Sequence, residues 1–372
     1  GNISAYEFMR NRILYMDITP AQLALDPCTG AVVVTDVSTG EVLSLVSYPG
    51  YDNNKMANSV DPAYYSKLLA DKTSPMLNYA TQYAAAPGST FKMVSATAAL
   101  MEGEVSLSSK VNCTGAYTQV TPSPRCWRRS GHGSLNLTEA IQNSCNFFFY
   151  DIGYRFATKS GNYNAQDGLD VLAKYAEMYG LTEKSGVEIE ESQPSVSDEL
   201  PIPSAIGQGT NSFTAVGLTR YVATVANGGN CYNLTLLDHV QDKEGTVLTR
   251  QKSTLQGTVD IPVEYWNAIR LGLRRVVEGK SYFNELSVKV AGKTGTAQQI
   301  ISRPNHALFV GYAPYDMPEI AITVRIPFGY SSDYAAQTAK DVISYYYGLE
   351  PAEEIIDGMA ATPEAGVTIN EI

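Results

Sequence analysis

The run Phe91, Met93, Val94, Ala96, Ala98, Ala99, Leu100 and Met101 ends at Gly103 and, past Lys92, is interrupted by polar residues only at Ser95 and Thr97. A helix apolar nearly all round belongs in an interior, so the chain must build a core around this segment. Pro87 suits the first turn. Just inside that turn stand Ser89 and Lys92, the one lysine of the chain with a serine three residues before it. Residues i and i+3 share a helix face, which brings the hydroxyl and the amine toward each other. Burial disfavours an ammonium and lowers its pKa, the condition for taking a proton from an alcohol near neutrality. The Ser89 N–H at the helix start is free to face a developing oxyanion. An ordinary capped helix carries the same spacing, so the pair needs further support.

With 372 residues and 44% hydrophobic content, the chain can bury a large core. Its net charge of −11 argues against nucleic acid or an anionic membrane as partner. No apolar run is long enough to span a bilayer. The start Gly1-Asn2-Ile3 is not a natural one, which leads us to expect an excised piece lacking any anchor. Five cysteines (Cys28, Cys113, Cys126, Cys145, Cys231) lack metal-ligand spacing, and His132, His239 and His306 are scattered, so the expectation is no metal and no cofactor. Cys113 and Cys126 flank a Pro-rich loop; they form a disulfide in an oxidising compartment or stay as two buried thiols.

Along the chain, Ala31–Val37 and Glu41–Ser47 read as a hairpin, and Pro62–Leu69 as a helix. Glu7–Ile18 is a short amphipathic helix or a linker remnant. Residues 104–135 read as an elaborated loop anchored by Trp127. Helical segments follow, capped by Thr138 and then over Asn146–Phe156, Asp170–Tyr179 and Thr214–Ala226. The turn Gly207-Gln208-Gly209 lacks the context of a dinucleotide site and reads as close packing. Beyond a second hairpin (236–240 with 246–250) and a helix over Pro262–Glu278, strands are expected at Ser287–Thr296, Ala307–Tyr312 and Ile320–Ile326, then a helix over Asp333–Tyr346. The fold class is α+β: an antiparallel sheet mixing N- and C-terminal strands, flanked by helices, with an all-helical lobe.

Two further elements carry chemistry. Ser144-Cys145-Asn146 lies between helical runs, where a tight turn presents a hydroxyl and an amide; the same spacing at Ser134 and Ser160 is read as noise, and Cys145 as packing. Lys293-Thr294-Gly295-Thr296 contains the only Lys-Thr-Gly of the chain. Gly295 is expected to let an extended substrate approach the strand edge. Thr294 and Thr296 share a face and, with Lys293, suit a carboxylate, although simple alternation turns Lys293 to the opposite side. The Thr296 N–H completes an oxyanion hole with that of Ser89.

In this order Ser89-x-x-Lys92, Ser144-x-Asn146 and Lys293-Thr-Gly-Thr296 resemble the three motifs of the penicillin-binding protein and serine β-lactamase superfamily. Gly30-Ala-Val-Val-Val-Thr-Asp, Ser47-Tyr-Pro-Gly-Tyr-Asp, Ala86-Pro-Gly-Ser-Thr-Phe-Lys, Gly207-Gln-Gly and Phe309-Val-Gly-Tyr-Ala-Pro are similar to penicillin-binding transpeptidases, over about residues 28–346. The 149 positions between Ser144 and Lys293 look more like a class B high-molecular-mass member than a compact β-lactamase, and no Glu-x-x-Leu-Asn lies between those motifs.

The resemblance implies a D,D-transpeptidase domain at 26–347, a linker or pedestal remnant at 1–25 and an acidic tail at 348–372. It implies Ser89 as nucleophile, Lys92 as base, Ser144 as proton relay, Asn146 on the substrate amide, and Lys293, Thr294, Gly295 and Thr296 as substrate-binding. The implied partners are peptidoglycan stem peptides, β-lactam antibiotics and, in the full-length protein, a membrane glycosyltransferase. The implied location is the extracytoplasmic face of a bacterial membrane. A β-lactamase or D,D-carboxypeptidase and a β-lactam sensor domain share the motifs; a silent scaffold would have lost Ser89 or Lys92.

Overall fold

Valine-rich stretches near the start and Ile/Val/Phe-rich stretches near the end meet in one sheet. The computed structural model describes residues 29–298 and 303–355, with Ser4, Glu7, Phe8, Asn11 and Arg12. Cys28, nearly all of the segment Glu7–Ile18, and the tail beyond 355 lie outside the described residues. Strands β1 (Gly30–Asp36) and β2 (Val42–Tyr48) form the expected hairpin. Short ribbons follow: β3 (Val111–Cys113) with β4 (Gly133–Leu135), β5 (Asn230–Tyr232) with β8 (Leu255–Thr258), and β6 (His239–Gln241) with β7 (Val247–Arg250). Strands β9 (Ala291–Ala297), β10 (His306–Ala313) and β11 (Ile320–Ile326) complete the main sheet, whose order is β2-β1-β11-β10-β9, antiparallel throughout. The lysine-bearing strand β9 is therefore an edge.

Among the described residues the helices are α1 (Pro62–Ala70), α2 (Lys92–Met101), α3 (Leu137–Gln142), α4 (Asn146–Thr158), α5 (Ala165–Met178), α6 (Pro201–Ser204), α7 (Ala215–Ala226), α8 (Val263–Glu278), α9 (Ser332–Tyr346) and the short α10 (Ala352–Ile355). Every residue of α2 from Lys92 to Leu100 is buried, as its composition requires. Its two hydroxyls are satisfied: Ser95 Oγ donates to Ala205 O at 2.7 Å, and Thr97 Oγ1 pairs with Tyr179 OH at 2.8 Å. Strand β10 is apolar on both faces, because both are covered. Leu308, Val310 and Tyr312 pack with the helical lobe around α2, whereas Ala307, Phe309 and Ala313 join the layer containing Ala335, Ala336, Ala339 and Ile343 of α9. Lys340 of α9 pairs with Glu350 at 2.8 Å and ties down the start of the tail. No helix among the described residues is long and apolar enough to cross a membrane.

Several boundaries differ from expectation for local reasons. Helix α5 begins about five residues early because Asn164 accepts from the Gln166 N–H and caps it. Strand β9 starts four residues late. At α3 the cap is Asn136, not Thr138: its side chain accepts from Glu139 N at 2.9 Å while Glu139 reaches back to Asn136 N at 2.8 Å. Asn136→Ala is expected to cost about 1 kcal/mol and to lower the melting temperature by roughly 2–4 °C, read by calorimetry; an unchanged melt would show the box to be idle.

Candidate active site

Three glycines from distant segments let the serine turn lock into place. Gly88–Phe91 form a single 3-10 turn leading into α2. Gly88 has φ +53, and a Cβ there would lie 2.5 Å from Thr296 O of β9. A Cβ on Gly207 (φ +76) would lie 2.1 Å from Gly88 O, and Gly88 N donates to Gly207 O at 3.0 Å. A Cβ on Gly295 would lie 2.8 Å from both Pro87 O and Thr90 Cγ2. The reading of Gly207 as a close-packing turn holds. The missing side chain at Gly295, expected from sequence to give room for substrate, also makes room for the turn that carries Ser89.

Ser144 ends α3 in the place where glycine is usual. Cys145 N donates to Ala140 O and Ser144 N to Ile141 O, closing the helix with Ser144 at φ 49. A left-handed non-glycine residue costs roughly 1–2 kcal/mol. Here that conformation turns the Ser144 carbonyl and hydroxyl toward the Lys92 amine. Lys92 Nζ is 2.9 Å from Ser144 O, 3.2 Å from Ser144 Oγ and 2.6 Å from Asn146 Oδ1. It also lies 5.5 Å from the Phe149 ring centroid, a contact that the sequence reading of Asn146–Phe156 as a helix did not foresee. Complete burial brings its pKa down to about 7. Among the described residues no hydrogen bond joins Lys92 to Ser89, which stands three residues before it and is half-buried.

Lys293 reaches the same point from the sheet. Its Nζ donates to Ser144 Oγ at 3.0 Å and to Thr294 O at 3.0 Å, and the side chain is almost wholly buried. Burial, then the charges of Lys92 and Lys280, hold its pKa well below the ordinary lysine value. Alternation carries Lys293 inward rather than away: Lys293 and Gly295 both face the helical lobe. Thr294 is half-buried and Thr296 exposed, on the strand that forms the sheet edge. The hydroxyl of Ser144 thus stands between two buried amines.

Residues 30–344 match the family model described as the penicillin binding protein transpeptidase domain. The chain belongs to this family. It is 30% identical over 357 residues to the peptidoglycan D,D-transpeptidase MrdA of Haemophilus influenzae, covering 85% of this chain and 52% of that protein. The chain spans about half the length of the curated relatives it matches. It also resembles the solved structure of an imipenem acyl-enzyme of penicillin-binding protein A from M. tuberculosis, with TM-score 0.76 and 25% identity over 86% of this chain and 74% of that one. A third likeness has TM-score 0.75 and 30% identity over 87% of this chain and 56% of the other. That structure concerns the coordination of polymerization and crosslinking by a peptidoglycan synthase complex.

Beside the three motifs, this transpeptidase domain holds a cluster that the sequence reading denied. Cys113, Cys126, His132 and Cys145 place their ligand-type atoms within 4.8 Å of one another. The first two are neither bridged nor isolated: Cys113, Cys126 and Cys145 are free and buried. Cys145, read from sequence as packing, is wholly buried inside this cluster. A hydrogen bond from the Cys145 thiol, followed by backbone N–H groups of Phe147 and Arg128, pulls the Cys126 pKa down, while the same bond and burial push Cys145 up. Burial lowers the His132 pKa. Trp127 anchors the loop as expected, its Nε1 donating to Asn143 O at 3.1 Å, and its ring stands edge-on to His132 at 5.1 Å. No short ligand motif marks the set. The available signal was that three of five cysteines and one histidine fall in a single stretch ending inside the Ser144–Asn146 turn.

Proposed function

We propose that the chain is the catalytic domain, over residues 26–347, of a peptidoglycan D,D-transpeptidase whose acyl-enzyme forms on Ser89. The observation that carries this reading is the buried Lys92 amine, held at a pKa of about 7 and bonded to the Ser144–Asn146 turn at the foot of the Ser89 helix. Ser89 Oγ attacks the carbonyl between the two terminal D-alanines of a stem peptide and gives its proton to neutral Lys92. The N–H groups of Ser89 and Thr296 stabilise the oxyanion. Lys92 returns the proton through Ser144 Oγ to the leaving D-alanine nitrogen. Asn146 spends Oδ1 on Lys92 and keeps its amide N–H groups for the substrate carbonyl. Lys293, Thr294 and Thr296 bind the terminal carboxylate. The amine of a second stem peptide then attacks the ester, forms the cross-link and frees Ser89.

The acyl-enzyme captured in the M. tuberculosis relative supports β-lactams as trapping ligands. The neighbour solved as a peptidoglycan synthase complex that coordinates polymerization and crosslinking supports a polymerizing partner for this chain; a membrane glycosyltransferase, met on the extracytoplasmic face of the bacterial membrane, is the partner this reading implies. Incubation with benzylpenicillin followed by intact-mass and peptide mapping tests the reading. One antibiotic adduct is expected, on the peptide containing Ser89 and persisting for many minutes. An adduct elsewhere refutes the nucleophile, and rapid loss of the adduct favours a β-lactamase.

A further inference from the structure

The proposed acyl transfer gives the donor strand a seat along β9 but names none for the second stem peptide, whose amine resolves the ester. Microscopic reversibility fixes where that amine arrives: Ser144 Oγ delivers the proton to the departing D-alanine nitrogen, so the incoming nitrogen loses its proton at the same hydroxyl. The rest of the acceptor then lies against whatever flanks Ser144. Residues 125–131 provide that flank. Trp127 Nε1 donates to the carbonyl of Asn143, the residue immediately before Ser144, at 3.1 Å, yet 44% of the tryptophan is exposed. Arg125, Arg128 and Arg129 around it are exposed as well. Among the described residues none of their guanidinium groups has an ion pair or a hydrogen bond.

From Val105 to Thr138 the chain has no Asp or Glu, whereas Lys110 and the three arginines are cationic, a local excess of positive charge in a chain of net charge −11. The backbone that carries it is fixed by close packing. A Cβ on Gly115 (φ +92) would lie 2.0 Å from Arg129 O, and one on Gly131 (φ +81) would lie 2.2 Å from Cys113 O. Cys126 N donates to Gly115 O and Gly131 N to Arg128 O, each at 2.9 Å. Arginines on a preorganised loop lose less freedom on binding than those on a mobile one.

We propose that Arg125, Trp127, Arg128 and Arg129 form the docking surface for the acceptor strand, an anionic glycopeptide. Its stem carboxylates pair with the guanidinium forks, whose geometry matches a carboxylate bidentately, and an apolar sugar face lies on the exposed indole. Charge complementarity calls for an anionic occupant. The place beside Ser144, where an amine has to be delivered, favours the acceptor over an anionic bilayer. The acceptor role rests on the function proposed above.

Binding of soluble uncross-linked muropeptides, each a disaccharide with a free-acid stem peptide, to the whole chain carrying Ser89→Ala tests the surface without any acyl transfer. Calorimetry gives the affinity, and tryptophan emission reports the contact, because Trp127 is exposed whereas the other tryptophan, Trp266, is only 5% exposed. Muropeptides are expected to bind and to shift the Trp127 emission. Arg128→Gln combined with Arg129→Gln should weaken binding roughly tenfold or more, and so should amidation of the stem carboxylates. Lys243→Gln, at an exposed lysine in the β6–β7 turn, should bind as the parent does. Should the double variant fail to fold, the amidated muropeptide decides. Equal affinity of the double variant and the parent, or of amidated and free-acid muropeptides, overturns the proposal, as does capture of phosphatidylglycerol vesicles by these arginines with no binding of muropeptide. With Ser89 restored, the double variant should raise KM for the acceptor peptide roughly tenfold or more with kcat little changed; an equal rise for the donor peptide overturns the acceptor role. A missing benzylpenicillin adduct refutes the acyl-transfer reading and leaves muropeptide binding unaffected, so the two fail separately.

Discussion

Lys92→Met is expected to slow acylation of Ser89 by ~10²–10⁴-fold, the usual contribution of a positioned base, and Ser89→Ala to abolish covalent capture of β-lactams. The argument rests on how much neutral amine the protein maintains. An ordinary lysine is neutral in only about one molecule in several thousand at pH 7. With burial bringing Lys92 down to about 7, roughly half the molecules carry the free base at that pH. Since the neutral form accepts the proton, the wild-type acylation rate should rise with pH through about 7 and level off above it. Lys92→Arg should be as slow as the methionine variant, because a guanidinium stays charged throughout the range. Time-resolved labelling with a fluorescent penicillin, run as a pH series, gives both quantities, and a melting curve shows that the variants are folded. A methionine variant within a few-fold of wild type, or a wild-type rate indifferent to pH, would remove Lys92 from the role of base.

The sequence carried the parts of this site that depend on local pattern. The all-apolar segment after Lys92 dictated a buried helix, and burial dictated the lowered pKa of the one lysine it contains. The hairpin of β1 and β2 and the late strands were legible from β-branched runs and glycine turns, and pairing of the two chain ends followed from their position. What escaped was set by distant parts of the chain. The inward course of Lys293 became definite only when Ser144 was seen to receive it. Asn136, set aside as a chance Ser-x-Asn match, turned out to be a helix cap, which Glu139 three residues on had signalled. The thiol cluster brings together residues 113, 126, 132 and 145 across a hairpin and a helix, at spacings that match no short ligand motif. Gly295 was recognised as necessary, but the atoms that make it necessary belong to Pro87 and Thr90.

Gly207→Ala is the expected structural counterpart of the lysine result. The new methyl group would sit 2.1 Å from Gly88 O and 2.8 Å from Phe91 Cβ, in a residue held at φ +76. Neither obstacle is the end of a flexible side chain; one is the backbone of the serine turn. The left-handed backbone alone costs roughly 1–2 kcal/mol, and overpacking adds typically 1–3 kcal/mol, so a total of about 3 kcal/mol or more is expected. Gly103→Ala separates the two contributions, since Gly103 has φ +74 with nothing within 4 Å of a Cβ. It should therefore show the backbone cost only. The clash at Gly207 can be relieved only by moving Gly88, which breaks the 3.0 Å bond from Gly88 N to Gly207 O and displaces Ser89 from Thr296. Gly207→Ala should accordingly lower the melting temperature more than Gly103→Ala. It should also slow acylation at temperatures where the protein is fully folded, while Gly103→Ala leaves the rate unchanged. If both variants melt alike and acylate like wild type, the glycine interlock does not position the serine, and the turn must be held by α2 alone.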